Sequence, residues 1–136
     1  MSRSILITGG AGFIGSNFIP YYLAEHPEVH LVNLDALTYA GDLNNLTEVV
    51  DHRRYCFVQG DIGDRSLLEK LFEEHHFTGV IHFAAESHVD NSISNPGVFI
   101  ETNVTGTFTL LDVAYKHWMQ KPFVYKPAFE GARFHH

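Results

Sequence analysis

Three glycines at three-residue intervals, Gly9, Gly12 and Gly15, follow directly on the run Ile5-Leu6-Ile7-Thr8 and open a stretch of helical spacing. Few local patterns limit a fold more. A short apolar, β-branched run ended by glycine reads as a strand buried on both faces of a parallel sheet. In such a turn one glycine makes the tight bend, a second lets a phosphate approach the backbone without a Cβ in the way, and a third lets the helix pack closely. The helix N-terminus then offers unbonded N–H groups and the positive end of its dipole. A glycine-rich turn alone is a weak signal. It gains weight from the strand before it, the helix after it, and an acid, Asp35, 20 residues beyond Gly15 at the end of the next strand-like run.

Strand and helix patterns alternate along the chain. Strands are expected over residues 5–8, 29–34 (ending at Asp35), 55–58, 80–85 and 132–136, and helices over 13–25, 65–74 and 95–119. Residues 38–51 read as a polar loop with a short helix, and 121–131 as a loop. The first helix carries Phe13, Phe18, Tyr21, Tyr22 and Leu23 at helical spacing, with Pro20 expected to kink or shorten it and Pro27 to end it. Asp64 is the expected N-cap of the second helix, whose buried face is Leu67, Leu68, Leu71 and Phe72. Asn95-Pro96 opens the third, with an apolar stripe at Phe99, Val104, Phe108, Leu111 and Tyr115. Gly106 interrupts that helix at about 1 kcal/mol relative to alanine, which points to close packing there. The alternation predicts an α/β fold: one domain, 1–136, with a Rossmann-type doubly wound parallel sheet, right-handed crossovers and helices on both faces, truncated in its fifth strand.

Composition narrows the function. With 45% hydrophobic and 18% charged residues the chain reads as a folded globular domain. A net charge of −7 without a basic patch argues against nucleic acid as a partner. No apolar run is long enough for a membrane span, and the run after Arg3 is too short for a secretory signal. Cys56 cannot form an internal disulfide; it is expected as a buried small hydrophobe, in a reducing, cytoplasmic setting. His75 and His76 read as solvated loop residues, and no metal site is expected. Ser87 and His88 are neighbours that point apart on a strand or loop, so they do not make a nucleophile and its base. Asp35 is placed to accept both hydroxyls of an adenine ribose and to repel a 2′-phosphate, and neither Ala36 nor Leu37 supplies a cation, which favours NAD over NADP.

The GxxGxxG loop resembles that of the extended short-chain dehydrogenase/reductase family. Within it, Leu34-Asp35 with Leu37-Thr38-Tyr39-Ala40-Gly41, Gly60-Asp61-Ile62, Ala84-Ala85-Glu86-Ser87-His88-Val89-Asp90, Phe99-Ile100-Glu101-Thr102-Asn103-Val104 and Arg133-Phe134-His135-His136 resemble the nucleotide-sugar 4,6-dehydratases. The resemblance runs along essentially the whole chain. It implies a cofactor site of Gly9, Gly12, Phe13, Ile14, Gly15 and Asp35, with Asp61 on the adenine amino group, the Ile62 N–H on a ring nitrogen, and Ala84 and Ala85 lining the pyrophosphate and nicotinamide side. It implies that Ser87, His88 and Asn103 lie near a nucleotide-sugar substrate, and that the intact protein is a homodimer. One departure is Asn91, where the family usually has arginine.

The family reaction oxidises a sugar C4 hydroxyl with NAD, removes water across C5 and C6, and returns the hydride to C6. Its proton transfers use a Tyr-x-x-x-Lys pair, a threonine and an Asp-Glu pair. None of Tyr21, Tyr22, Tyr39, Tyr55, Tyr115 and Tyr125 has lysine four residues on. The expectation is therefore a cofactor cradle with no catalytic residue of its own, the substrate lobe being absent. A nucleotide-sugar 4-epimerase and a non-catalytic NAD-binding module are the alternatives.

Overall fold

The computed structural model describes residues 3–37, 46–83 and 101–136, the side chains of 101–103 excepted. In chain order the elements are β1 (Arg3–Thr8), α1 (Phe13–Glu25), β2 (Val29–Asp35), β3 (Tyr55–Gln59), α2 (Arg65–His75), β4 (Gly79–His82), a π-helical turn (Glu101–Gly106), α3 (Thr107–Trp118), β5 (Met119–Lys121), β6 (Val124–Tyr125), a 3₁₀ turn (Pro127–Phe129) and β7 (Arg133–His135). The main sheet has the order β3-β2-β1-β4-β7, and each neighbouring pair is parallel. Strand order reverses between β1 and β4. In an open α/β sheet the crevice beyond the strand ends at that reversal is where ligands bind.

Alternation along the strands builds a core on each face. Ile5 and Ile7 of β1 pack with Val29 and Leu31 of β2 and with Ile19 and Leu23 of α1. Leu6, Val32, Leu34 and Val80 pack on the other face with Leu68, Leu71 and Phe72 of α2 and with Leu110, Val113, Ala114 and Trp118 of α3. The sheet is thus covered on both sides, as its continuously apolar strands require. The Asp64 side chain accepts the Leu67 N–H at 3.2 Å and caps α2. At the other end of α2, His76 takes the left-handed conformation (φ 48°) and its N–H donates to the Phe72 carbonyl.

Several expectations change. Helix α1 runs through Pro20 to Glu25. Burial of Ile19 and Leu23, each at 2% exposure or less, presses it onto the sheet. The Arg54 guanidinium donates to the carbonyls of Leu23, His26 and Val29, satisfying acceptors at the helix end. Its buried residues are Gly15, Ser16, Ile19 and Leu23, whereas Phe13 and Tyr21 are exposed. The inward face is set by the need to seat Gly15 against the glycine loop.

The fourth strand, β4, covers Gly79–His82 with Phe83 beyond it, and residues 84 and 85 of the expected strand lie outside the described residues. Residues 46–51 form turns. The opening of the third helix at 95–96, the Phe99 of its stripe, and residues 38–45 lie outside the described residues. Helix α3 stops at Trp118, where the Trp118 indole N–H donates to the Phe77 carbonyl. Met119 instead begins a small antiparallel hairpin, β5 with β6. The apolar stripe read in this region lies on the outside: Val104 of the π-helical turn and Phe108, Leu111 and Tyr115 of α3 are exposed, whereas Leu110, Val113, Ala114 and Trp118 are buried. Cys56 is exposed rather than buried; among the described residues β3 is an edge strand, paired with β2. The expected fifth strand of the sheet is β7, beside β4.

Candidate functional site

The glycine loop is tied down by the strand next to it. Asn33 and Asp35 continue the face of β2 that carries Val29 and Leu31, so their side chains reach under the loop that follows β1. The Gly9 N–H donates to the Leu34 carbonyl at 2.9 Å and the Gly12 N–H to the Gly9 carbonyl at 3.2 Å. The Gly10 N–H donates to Asn33 Oδ1 at 3.0 Å, and the Ala11 N–H to Asp35 Oδ2 at 2.9 Å. Behind Asn33, its Nδ2 donates to the Tyr55 hydroxyl, whose pKa burial pushes up.

Those bonds occupy the loop amides from 9 to 12. The first intrahelical bond of α1 runs from the Ser16 N–H to the Gly12 carbonyl, so the N–H groups of Phe13, Ile14 and Gly15 precede it, and Gly12 supplies no side-chain cap. Phe13 and Ile14 are strongly exposed, at 82% and 66%. Helix dipole and N–H donors together make this end fit for an anion such as a pyrophosphate.

The glycines are needed for different reasons. Gly9 has φ 70°, a conformation natural to glycine. A Cβ on Gly15 would stand 2.6 Å from Gly10 Cα and 2.9 Å from the Gly9 carbonyl oxygen, so the helix sits directly on the loop backbone. Gly10, outside the three-residue spacing, is as confined: a Cβ there would overlap the Asn33 amide and Ile19 Cδ1.

Asp35 is 8% exposed. Besides Ala11, its Oδ1 accepts the Leu37 N–H at 2.8 Å. Each carboxylate oxygen keeps a second lone pair, so the acid that shapes the loop also retains capacity for ribose hydroxyls. The Gly60 N–H donates to the Asp35 carbonyl at 3.1 Å, which brings the segment after β3 to the same sheet edge. There Asp61 is exposed with its Oδ1 accepting the Gly63 N–H at 2.7 Å, and the Ile62 side chain is buried.

Of the residues expected at the site, the structure therefore gathers Gly9, Gly12, Phe13, Ile14, Gly15, Asp35, Asp61 and Ile62 along one carboxyl edge of the sheet. Ala84, Ala85, Ser87, His88 and Asn91 lie outside the described residues, and Asn103 is placed on the π-helical turn without a described side chain. Among the described residues no group of three His, Cys, Asp or Glu is placed to hold a metal, and no helix is long and apolar enough to cross a membrane.

Sequence reasoning missed Asn33, Tyr55 and His82. His82 is 4% exposed. Its Nδ1 meets Thr8 Oγ1 at 2.5 Å, and its Nε2 meets Thr107 Oγ1 at 2.9 Å. Burial, with a smaller contribution from the His136 ring stacked on it at 4.9 Å, lowers its pKa to about 4. The one signal in the sequence was a polar residue inside the apolar run Val80-Ile81-His82-Phe83.

Known proteins share this fold. A dTDP-glucose 4,6-dehydratase from Neisseria meningitidis serogroup B is 50% identical over 134 residues, covering 98% of this chain and 37% of the relative. The crystal structure of a dTDP-glucose 4,6-dehydratase from Streptomyces venezuelae with NAD and TYD bound is 48% identical, with a TM-score of 0.78 over 85% of this chain and 36% of that one. The crystal structure of a UDP-glucose 4-epimerase from Thermotoga maritima with UDP-glucose is 31% identical, with a TM-score of 0.75 over 85% of this chain and 35% of that one. The chain thus spans somewhat more than a third of the length of these proteins. Strand order, glycine loop and acid at the end of β2 accord with the match of residues 6–136 to the family model described as GDP-mannose 4,6 dehydratase, and the chain belongs to that family.

Proposed function

We propose that the intact protein is an NAD-dependent nucleotide-sugar 4,6-dehydratase, converting dTDP-glucose to its 4-keto-6-deoxy product, and that this chain supplies the NAD-binding part. The observation that carries this reading is the pre-tied loop: amides 9–12 are bonded within the protein, while those of Phe13, Ile14 and Gly15 precede the first intrahelical bond. In this reading Phe13 and Ile14 hold the pyrophosphate, Asp35 the adenine ribose, and Asp61 and Ile62 the adenine. Ala84 and Ala85 leave room beside the nicotinamide, and Ser87, His88 and Asn103 face the nucleotide sugar. Bound NAD would supply the hydride chemistry. The chain's own work is to bind and orient, since none of its tyrosines has lysine four residues on. The relatives named 4,6-dehydratases reach 50% identity and the named epimerase 31%, which favours dehydration over epimerisation.

An outward apolar stripe along the π-helical turn and α3 supports a homodimer. Val104, Phe108, Leu111 and Tyr115 are between 42% and 62% exposed and follow one another at steps of four, three and four residues. A contiguous apolar seam of this kind suits a symmetric helix-to-helix contact. The lone exposed thiol of Cys56 fits a reducing, cytoplasmic setting.

The test is to incubate the full-length protein with dTDP-glucose and to follow the product by NMR. A 4-keto-6-deoxy sugar supports dehydration. Inversion at C4 identifies an epimerase, and NAD binding without turnover of any nucleotide sugar identifies a non-catalytic module.

A further inference from the structure

We infer that His82 is a positioning residue: by bonding Thr8 on one side and Thr107 on the other, it sets the glycine loop against the start of α3 at the switch point of the sheet. Thr8 and His82 are register partners at the carboxyl ends of β1 and β4, the two strands between which strand order reverses. Thr8 runs straight into Gly9. Its carbonyl accepts the Phe83 N–H at 2.8 Å and its hydroxyl meets the His82 ring. The backbone step into the loop is thereby held from β4 twice. On the far side Thr107 begins α3 directly after the π-helical turn that carries Asn103. Departures from α-helical pitch of this kind occur often at functional sites.

Chemistry favours a directional role over filling of space. A buried polar ring is costly unless both its nitrogens are bonded, and an apolar ring would fill the same volume without that cost. A neutral imidazole has one donor and one acceptor. One threonine hydroxyl must therefore donate to it and the other accept from it, which fixes both the ring and the two hydroxyls. Burial and the His136 ring hold His82 in that neutral form. The stack on His136 adds a third element, since His136 follows β7.

The part of this inference that concerns cofactor rests on the NAD-binding reading; the part that concerns the loop does not. The experiment uses the full-length protein, wild type against His82→Phe, Thr107→Val and the double variant. Amide hydrogen exchange at Gly9 and Gly10 is measured without ligand, and NAD affinity by titration calorimetry. His82→Phe is expected to speed exchange at Gly9 and Gly10 and to weaken NAD by about tenfold each, the scale of one or two lost hydrogen bonds, while amides of Leu71 and Phe72 in α2 keep their protection. Thr107→Val, which removes a hydroxyl on α3, is expected to do the same more weakly, and the double variant to be no worse than His82→Phe. Exchange and affinity within twofold of wild type in His82→Phe, or effects of the two substitutions that simply add, would overturn the inference. If His82→Phe does not fold, Thr107→Val decides: faster exchange at Gly9 and Gly10 supports the link, and unchanged exchange removes it. A wild type that ignores NAD but whose variants show the exchange effect would remove the functional reading and leave the positioning role standing.

Discussion

The Asp35 carboxylate accepts the Ala11 N–H at 2.9 Å, so the acid that ends β2 holds the loop that ends β1. One side chain therefore serves two demands, shaping the phosphate loop and presenting lone pairs at the sheet edge. Asp35→Ala should cost stability as well as affinity, because it removes the carboxylate that accepts the Ala11 and Leu37 N–H groups. Each such loss is worth about 1–3 kcal/mol when the donor is shut away from water. Paired urea denaturation and NAD titration check this. A variant with wild-type stability and merely weaker NAD would make Asp35 a ligand contact alone.

Gly12 and Gly15 should fail differently. Gly12 has an ordinary φ of −76°, so Gly12→Val is expected to fold with little loss and to abolish NAD binding, its branches occupying the space of the pyrophosphate. Gly15→Ala pushes a methyl into the Gly10 backbone and should destabilise by about 1–3 kcal/mol, as overpacking does. Thermal unfolding and circular dichroism of the two variants separate these outcomes; reversal of the order would contradict the assignment.

His82 predicts a pH dependence of stability. Its folded pKa, about 4, lies below the ordinary histidine value of 6.5, so between those values the unfolded chain binds the extra proton. Its neutral form therefore supports the fold fully above pH 6.5, and that support is lost as pH falls towards 4, by about 3 kcal/mol in all at roughly 1.4 kcal/mol per unit. Among the described residues, the groups facing the ring are Thr8, Thr107, Phe134 and His136, of which His136 alone titrates. Urea midpoints at pH 7 and pH 5 should fall further apart for wild type than for His82→Phe; equal differences would show that His82 does not carry the effect.

The α3 stripe predicts a dimer broken by charge. Phe108 is 60% exposed, so Phe108→Glu should leave the fold intact and shift the full-length protein from dimer to monomer in sedimentation. A wild type that is monomeric at every concentration would refute the seam.

What was legible beforehand was local. The strand, glycine turn, helix and distant acid could be read because each imposes a backbone requirement on its own few residues, and so could the Asp64 cap. Asn33, Arg54 and His82 could not, since their partners are brought near only by the completed sheet: His82 and Thr8 stand 74 residues apart in sequence. Periodicity in α3 showed that an apolar stripe exists but not which face the sheet would take. Leu110, Val113, Ala114 and Trp118 won that side. The β5–β6 hairpin was hidden by its brevity and by Pro122, which reads as loop.

The cradle itself is tested most directly by titrating the full-length protein with NAD and with NADP under the same conditions. Asp35 at the end of β2, with Ala36 and Leu37 after it and no cation beside it in sequence, predicts saturable binding of NAD and much weaker binding of NADP, with NAD binding lost in Gly12→Val. NADP binding as tightly as NAD, or Gly12→Val binding NAD like wild type, would contradict the account.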